Sequence, residues 1–105
     1  MPLTRSFKAT VKARAERDAA FREALLTEGV DAMLAGDMDT GKAILRDYIN
    51  ATIGFDRLAE ETGTPAKSLM RMLGPRGNPN ARNLFSVIHR LQSAAGVNLR
   101  VRPTR

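Results

Sequence analysis

LAEETGTPAKSLMRM, residues 58–72, carries the last two carboxylates of the chain, Glu60 and Glu61; beyond the glycine at position 63, Arg105 is reached without another. Leu58 precedes that glycine, and Leu69 and Met72 follow it at helical spacing. Where two short helices meet steeply through a tight turn, the first needs a small residue at the crossing and the turn favours glycine. Ala59 stands at the crossing position, Gly63 follows four residues later, and Phe55 is placed to cover the far end. The spacing predicts a helix-turn-helix.

Rotation at about 100° per residue divides the second of these helices into two faces. With Leu69 at the centre of the buried face, Ala66, Met72 and Leu73 share its side. Lys67 and Arg71 point almost directly away, with Thr64 beside them and Ser68 and Met70 on the flanks. A basic and hydroxyl stripe facing outward suits the major groove, where Lys or Arg reads guanine and Ser or Thr contacts bases or phosphates. Lys67, Ser68 and Arg71 are the candidate base contacts. Thr64, just before Pro65, is expected first as an N-cap and second as a phosphate contact.

Downstream, GPRGNPNAR (residues 74–82) offers Arg76, Asn78, Asn80 and Arg82 beside an expected helix start near Ala81. Free N–H groups and the positive dipole end there suit a phosphate, so these four are candidate phosphate contacts. A purely structural reading makes Arg76 and Arg82 solvated loop residues and Asn80 an N-cap.

Charge is distributed unevenly along the chain. Residues 1–61 hold nine bases and all eleven acids, a net of −2; residues 62–105 hold eight bases and no acid, a net of +8. Solvated faces ordinarily mix both signs, so an acid-free stretch of this length points to a polyanion. The 105 residues and 43% hydrophobic content fit one small domain with a packed core, and the absence of cysteine rules out disulfides and thiolate metal sites. No apolar run approaches the roughly 20 residues that cross a bilayer. The opening MPLTRSFKATVK lacks the apolar stretch of a secretory signal. A cytoplasmic chain without a membrane partner is expected.

Apolar spacing is helical almost throughout. Phe7 to Glu16 reads as a helix. From Asp18, the residues Phe21, Leu25, Leu26, Val30, Met33 and Leu34 predict an amphipathic helix up to Gly36. Ile44, Leu45, Tyr48, Ile49 and Ile53 mark the next, with Asp39 as its N-cap and Gly54 as its end. Short helices follow from Phe55 to Gly63 and from Pro65 to Gly74, and Leu84, Val87, Ile88 and Leu91 define a last one to about Ala95. In the tail, Val97, Leu99 and Val101 alternate with Asn98, Arg100 and Arg102, the period of a strand. The expected fold is all-α, five or six helices with a short C-terminal β-strand, in one domain over 1–105. Its parts are N-terminal helices (1–53), a helix-turn-helix core (54–95), and the strand and tail (96–105).

Two other motifs fail on inspection. GDMDTGK, residues 36–42, matches the spacing of a phosphate-binding loop, yet Ala43 replaces the magnesium-binding hydroxyl and Asp37 and Asp39 would repel phosphate. Read as a calcium loop, it has Gly41 one position early and Tyr48 where the bidentate Glu belongs. His89, the sole histidine, lies on the flank of its helix, and Ser68 has no evident base. No enzyme activity, cofactor or metal is expected.

Residues 55–101, with LAEETG, SLMRML, GNPN, NLFSVIHRLQ and a closing short strand in that order, resemble the lambda-repressor-like (Cro/XRE) helix-turn-helix family, and within it the short bacterial addiction-module antidotes and related regulators. Thr62 and Thr64 stand where that family usually has apolar residues. Pro65 and Ala66 occupy early recognition-helix positions where it often has polar ones, which moves the reading contacts to Lys67, Ser68 and Arg71. The resemblance implies a repressor that binds double-stranded DNA, with Leu58, Ala59, Gly63, Leu69 and Met72 holding the motif. It further implies an antidote that neutralises a cognate toxin protein and represses the shared operon. One recognition helix reads few base pairs, so a homodimer is expected, its two reading helices about 34 Å apart. The tail either adds to residues 2–7 or pairs with a second chain, and helix 84–95 is an alternative interface. The competing reading is a helical protein-interaction module that keeps the helix-turn-helix shape for packing.

Overall fold

Asp18 makes the first corner of the chain. In the computed structural model, which describes residues 5–105, its Oδ1 accepts the Phe21 N–H at 3.0 Å. That bond satisfies one of the donors that every helix start leaves unpaired. Helix α1 (Arg5–Arg17) ends here and α2 (Ala19–Leu34) begins. Arg14 braces the corner, its Nε 3.6 Å from the Asp18 carboxylate and its guanidinium 4.7 Å from the centre of the Phe21 ring.

The second corner starts two residues earlier than the sequence reading places it. Asp37, not Asp39, is the N-cap of α3 (Met38–Ala51), its Oδ1 accepting the Thr40 N–H at 3.2 Å. The Asp37 N–H itself donates to Ala32 O at 2.9 Å, which reverses the chain so tightly that helical geometry resumes at Met38. Asp39 is left in the first turn, where its negative charge still suits the dipole.

Helices α2 and α3 pack along each other as the main hairpin of the fold, and α1 leans against both. Gly41 lies at their contact, where a Cβ would meet Met33 Cγ at 2.5 Å and Gly29 O at 3.0 Å. The glycine that imitates a phosphate-binding loop is therefore a helix-crossing residue. On α2, Leu26 is fully buried and Leu25, Val30 and Met33 pack partly against the core, but Leu34 is 62% exposed. The apolar face of that helix stops short of its end.

Three shorter elements complete the chain: α4 (Phe55–Thr62), α5 (Ala66–Met72) and α6 (Ala81–Ala95), with α4 packed on both others. The core joins Leu26, Leu45, Ile49, Leu58, Leu69, Leu73 and Leu91, all essentially without solvent contact and drawn from α2 to α6. Each such side chain contributes about 1.5–3 kcal/mol by leaving water. Among the described residues the outcome is all-α, six helices. No helix among the described residues is long and apolar enough to cross a membrane.

The expected C-terminal strand is absent; residues 97–105 carry no helix or strand. Val97 and Leu99 do turn inward onto the core, as their alternation requires. The Leu99 N–H, however, donates to Gln92 Oε1 at 2.8 Å and the Val97 N–H to Gln92 O at 3.1 Å. A glutamine on α6 takes the place of a neighbouring strand, so no ladder forms. Of the N-terminal segment considered as its partner, residues 2–4 lie outside the described residues and the remainder is in α1.

Candidate nucleic-acid interface

Gly63 closes α4 in the left-handed conformation, φ 75°, a backbone state that side-chain-bearing residues rarely adopt, and its N–H donates to Ala59 O at 2.9 Å. Leu58 and Leu69, on either side of this turn, are buried; Ala59, Ala66 and Met72 pack partly against the same core. Thr62 occupies its half-buried position by donating its hydroxyl to Leu58 O at 2.8 Å while accepting the Thr64 N–H at 3.3 Å. That dual role accounts for a polar residue at this position.

Thr64 is not the N-cap. Pro65 occupies that place with extended backbone (φ −56°, ψ 143°), and its carbonyl accepts the Ser68 and Leu69 N–H groups at 3.0 and 3.1 Å, with no side-chain cap. Thr64 lies one residue too early for its hydroxyl to reach those donors. Helix α5 buries Leu69, and Leu73 just beyond it, while Lys67, Ser68, Met70 and Arg71 are exposed.

Thr64, Ser68, Arg71, Arg76, Asn78 and Asn80 line one open cavity of about 410 Å³ between α5, the loop after it and the start of α6. Lys67 and Arg82 are exposed but lie outside its wall. No carboxylate lines it. Asn80 caps α6, its Oδ1 accepting the Asn83 N–H at 2.8 Å, so the side-chain NH₂ is what remains for a ligand. Asn83 and Ser86 join the same wall. The sequence reading missed both, although Asn80, Asn83 and Ser86 recur at helical spacing of three.

The loop bearing Arg76 and Asn78 is held from below by two cations of α3. Lys42, only 4% exposed, donates from Nζ to Gly77 O at 2.7 Å, and Arg46 donates from Nη1 to Leu73 O at 2.9 Å. Together they satisfy carbonyls that the end of α5 and the loop beyond it would otherwise leave unpaired. Asp39, 3.7 Å from the Lys42 ammonium, adds a solvent-exposed counter-charge. Gly77 folds back on α5 so closely that a Cβ would run into the main-chain oxygens of Arg71 and Met72. The signal for Lys42 was its register: it precedes Leu45 by three and Ile49 by seven, on the buried face of its helix.

Of the two acids nearest the turn, Glu61 is paired, its Oε2 3.1 Å from Arg57 Nε, and Glu60 is exposed. The surface of α5 and its loop thus offers guanidinium, hydroxyl and amide donors without a facing carboxylate. Compared with known proteins, the chain matches no family model, no curated protein and no solved structure.

Proposed function

We propose that this chain is a sequence-specific double-stranded DNA-binding regulator, with α4 and α5 forming a helix-turn-helix of the lambda-repressor-like kind and α5 entering the major groove. The observation that carries the reading is the joint placement of Ser68 and Arg71 on α5 with Arg76 and Asn78 on the braced loop, around one cavity in the acid-free half. Lys67 and Arg71 offer guanine contacts, Ser68 a hydroxyl, and Met70, 46% exposed between them, an apolar contact for a thymine methyl. Thr64, Arg76, Asn78, Asn80 and Arg82 serve the phosphates on either side, which orients the helix without reading sequence. The role is binding, not catalysis.

The proposed form is a homodimeric repressor of its own operon, and the acidic N-terminal half supports an antidote role in which α2 and α3 meet a basic toxin. Leu34, 62% exposed, and Met38, 37% exposed, stand at that α2–α3 corner beside Asp37 and Asp39, an apolar contact with negative charge around it. Fluorescence anisotropy against the upstream DNA and against scrambled DNA, at two salt concentrations, tests the central claim. The upstream fragment is expected to bind about a thousandfold tighter. Lys67→Ala with Arg71→Ala should cost about 1–3 kcal/mol per lost base contact while leaving the melting temperature in place. Equal, weak binding of both fragments, or undiminished operator affinity in the double variant, removes α5 as the reading helix.

A further inference from the structure

A second cavity, of about 590 Å³, opens on another part of the molecule, where α2, α3, α4 and α6 come together. Three arginines line it from three different helices, Arg22 from α2, Arg57 from α4 and Arg90 from α6, and Glu61 is the only acidic residue in its wall. Three like charges converging on one concavity raise the energy of the folded chain unless an anion offsets them. The lining carries three positive charges and one negative, a net of +2.

Much of this donor capacity is unspent. A guanidinium has five N–H donors. Arg22 donates from Nη1 to Ala15 O at 2.6 Å, which fixes its direction, and Arg57 gives its Nε to Glu61. Arg90 is half-buried and has no hydrogen bond or ion pair among the described residues. At the floor, Tyr48 is buried, and that burial pushes its phenol above the ordinary range, with the Arg22 charge acting in the opposite sense. The phenol therefore remains an O–H donor at neutral pH. Ile53, Leu91 and Ala94 supply an apolar wall.

We propose that this cavity binds a small dianion of the phosphate-monoester class, clamped by Arg22, Arg57 and Arg90 with an apolar body against Ile53 and Leu91. The planar fork of arginine matches phosphate oxygens two at a time, and the net charge of the lining equals that of a doubly ionised monoester. The size is that of a small-molecule site, within about 300–1,000 Å³. Occupancy is independent of the DNA reading, since none of these side chains belongs to the proposed groove-facing surface.

Isothermal titration of the full chain with phenyl phosphate and with inorganic phosphate, at constant ionic strength, tests it, with amide NMR shifts locating the site. Saturable one-to-one binding of phenyl phosphate is expected, with shifts centred on Tyr48, Arg57 and Leu91. Arg90→Gln should weaken it about tenfold or more and Arg90→Lys less; neither should lower the melting temperature of the free chain, because Arg90 holds no other group of the described chain and its charge only adds repulsion there. Arg57→Gln supplies a second charge removal should Arg90→Gln disturb folding. No saturation up to about 10 mM, far weaker than a clamped dianion requires, overturns the proposal. So do unchanged affinity in both variants and shifts centred on Asn83 and Ser86 of the other cavity.

Discussion

Gly77 and Lys42 illustrate how single residues hold the proposed interface in shape. Gly77→Ala places a methyl group against two main-chain oxygens of α5, which cannot yield as a side chain would. A loss of about 1–3 kcal/mol in chemical denaturation is expected, the range for overpacking a closed site. Lys42→Met keeps the buried stem but leaves Gly77 O unpaired, and the loop amides around Arg76 should exchange faster with solvent while those of α2 stay protected. Neither role was visible as such in the sequence, where Lys42 passed as one of nine N-terminal bases; the partner that gives it meaning lies 35 positions away. The caps make a pH prediction. Asp18 and Asp37 have carboxyls held below the ordinary value of 3.8, chiefly by the Phe21 N–H at the first and by Thr40 at the second. A depressed folded value means stabilisation that is complete above the unfolded value and lost as pH falls through the folded one. Since asparagine caps as well as aspartate, Asp18→Asn with Asp37→Asn should flatten the fall in melting temperature below about pH 4; an unchanged acid limb would remove these carboxylates as its cause.

At the scale of elements, helices were legible because their apolar residues recur at three and four and because Gly54, Gly63 and Gly96 punctuate them where the chain takes positive φ. What the pattern could not convey was partnership. The tail has the alternation of a strand, and Val97 and Leu99 obey it, but whether such a segment joins a ladder depends on which group meets its N–H, and here that group is the Gln92 side chain. Cap positions shifted for a similar reason: Asp37 and Asp39 are equivalent as residues, and only the Asp37 N–H bond to Ala32 O selects between them. Variants in and after α5 separate its structural role from the proposed reading role. Leu69→Ala should cost about 2–5 kcal/mol of stability by leaving a cavity in the core, and with it any binding. Arg76→Ala should leave stability alone, weaken all DNA sequences alike and lower the salt slope by about one. A change of sequence preference in Arg76→Ala would instead make it a base contact.

For the molecule as a whole, the net of −2 before residue 62 and +8 from there on gives the two halves different surface charge. The core is shared, since Leu26, Leu45 and Ile49 of the acidic half pack with Leu58, Leu69 and Leu91 of the second, so the asymmetry resides in surface composition. A single α5 has seven residues, of which the exposed Lys67, Ser68 and Arg71 are the proposed readers, too few for an operator to stand out from a genome. The proposed reading therefore has two copies acting together, and a closed pair imposes a distance. With reading helices about 34 Å apart, half-sites fall about 10 base pairs centre to centre, and both protomers meet the same face of the duplex. Phe85, 62% exposed on α6, is an apolar group available to such a pairing. Inserting about five base pairs between half-sites rotates one of them to the opposite face. Affinity should then fall to that of a single half-site, and inserting about ten should restore much of it. Phe85→Glu should give the same single-site affinity on the unaltered operator, together with a monomeric mass by light scattering. If spacing leaves affinity unchanged while Lys67→Ala with Arg71→Ala abolishes it, α5 reads DNA from a monomer, and the pairing through α6 is excluded.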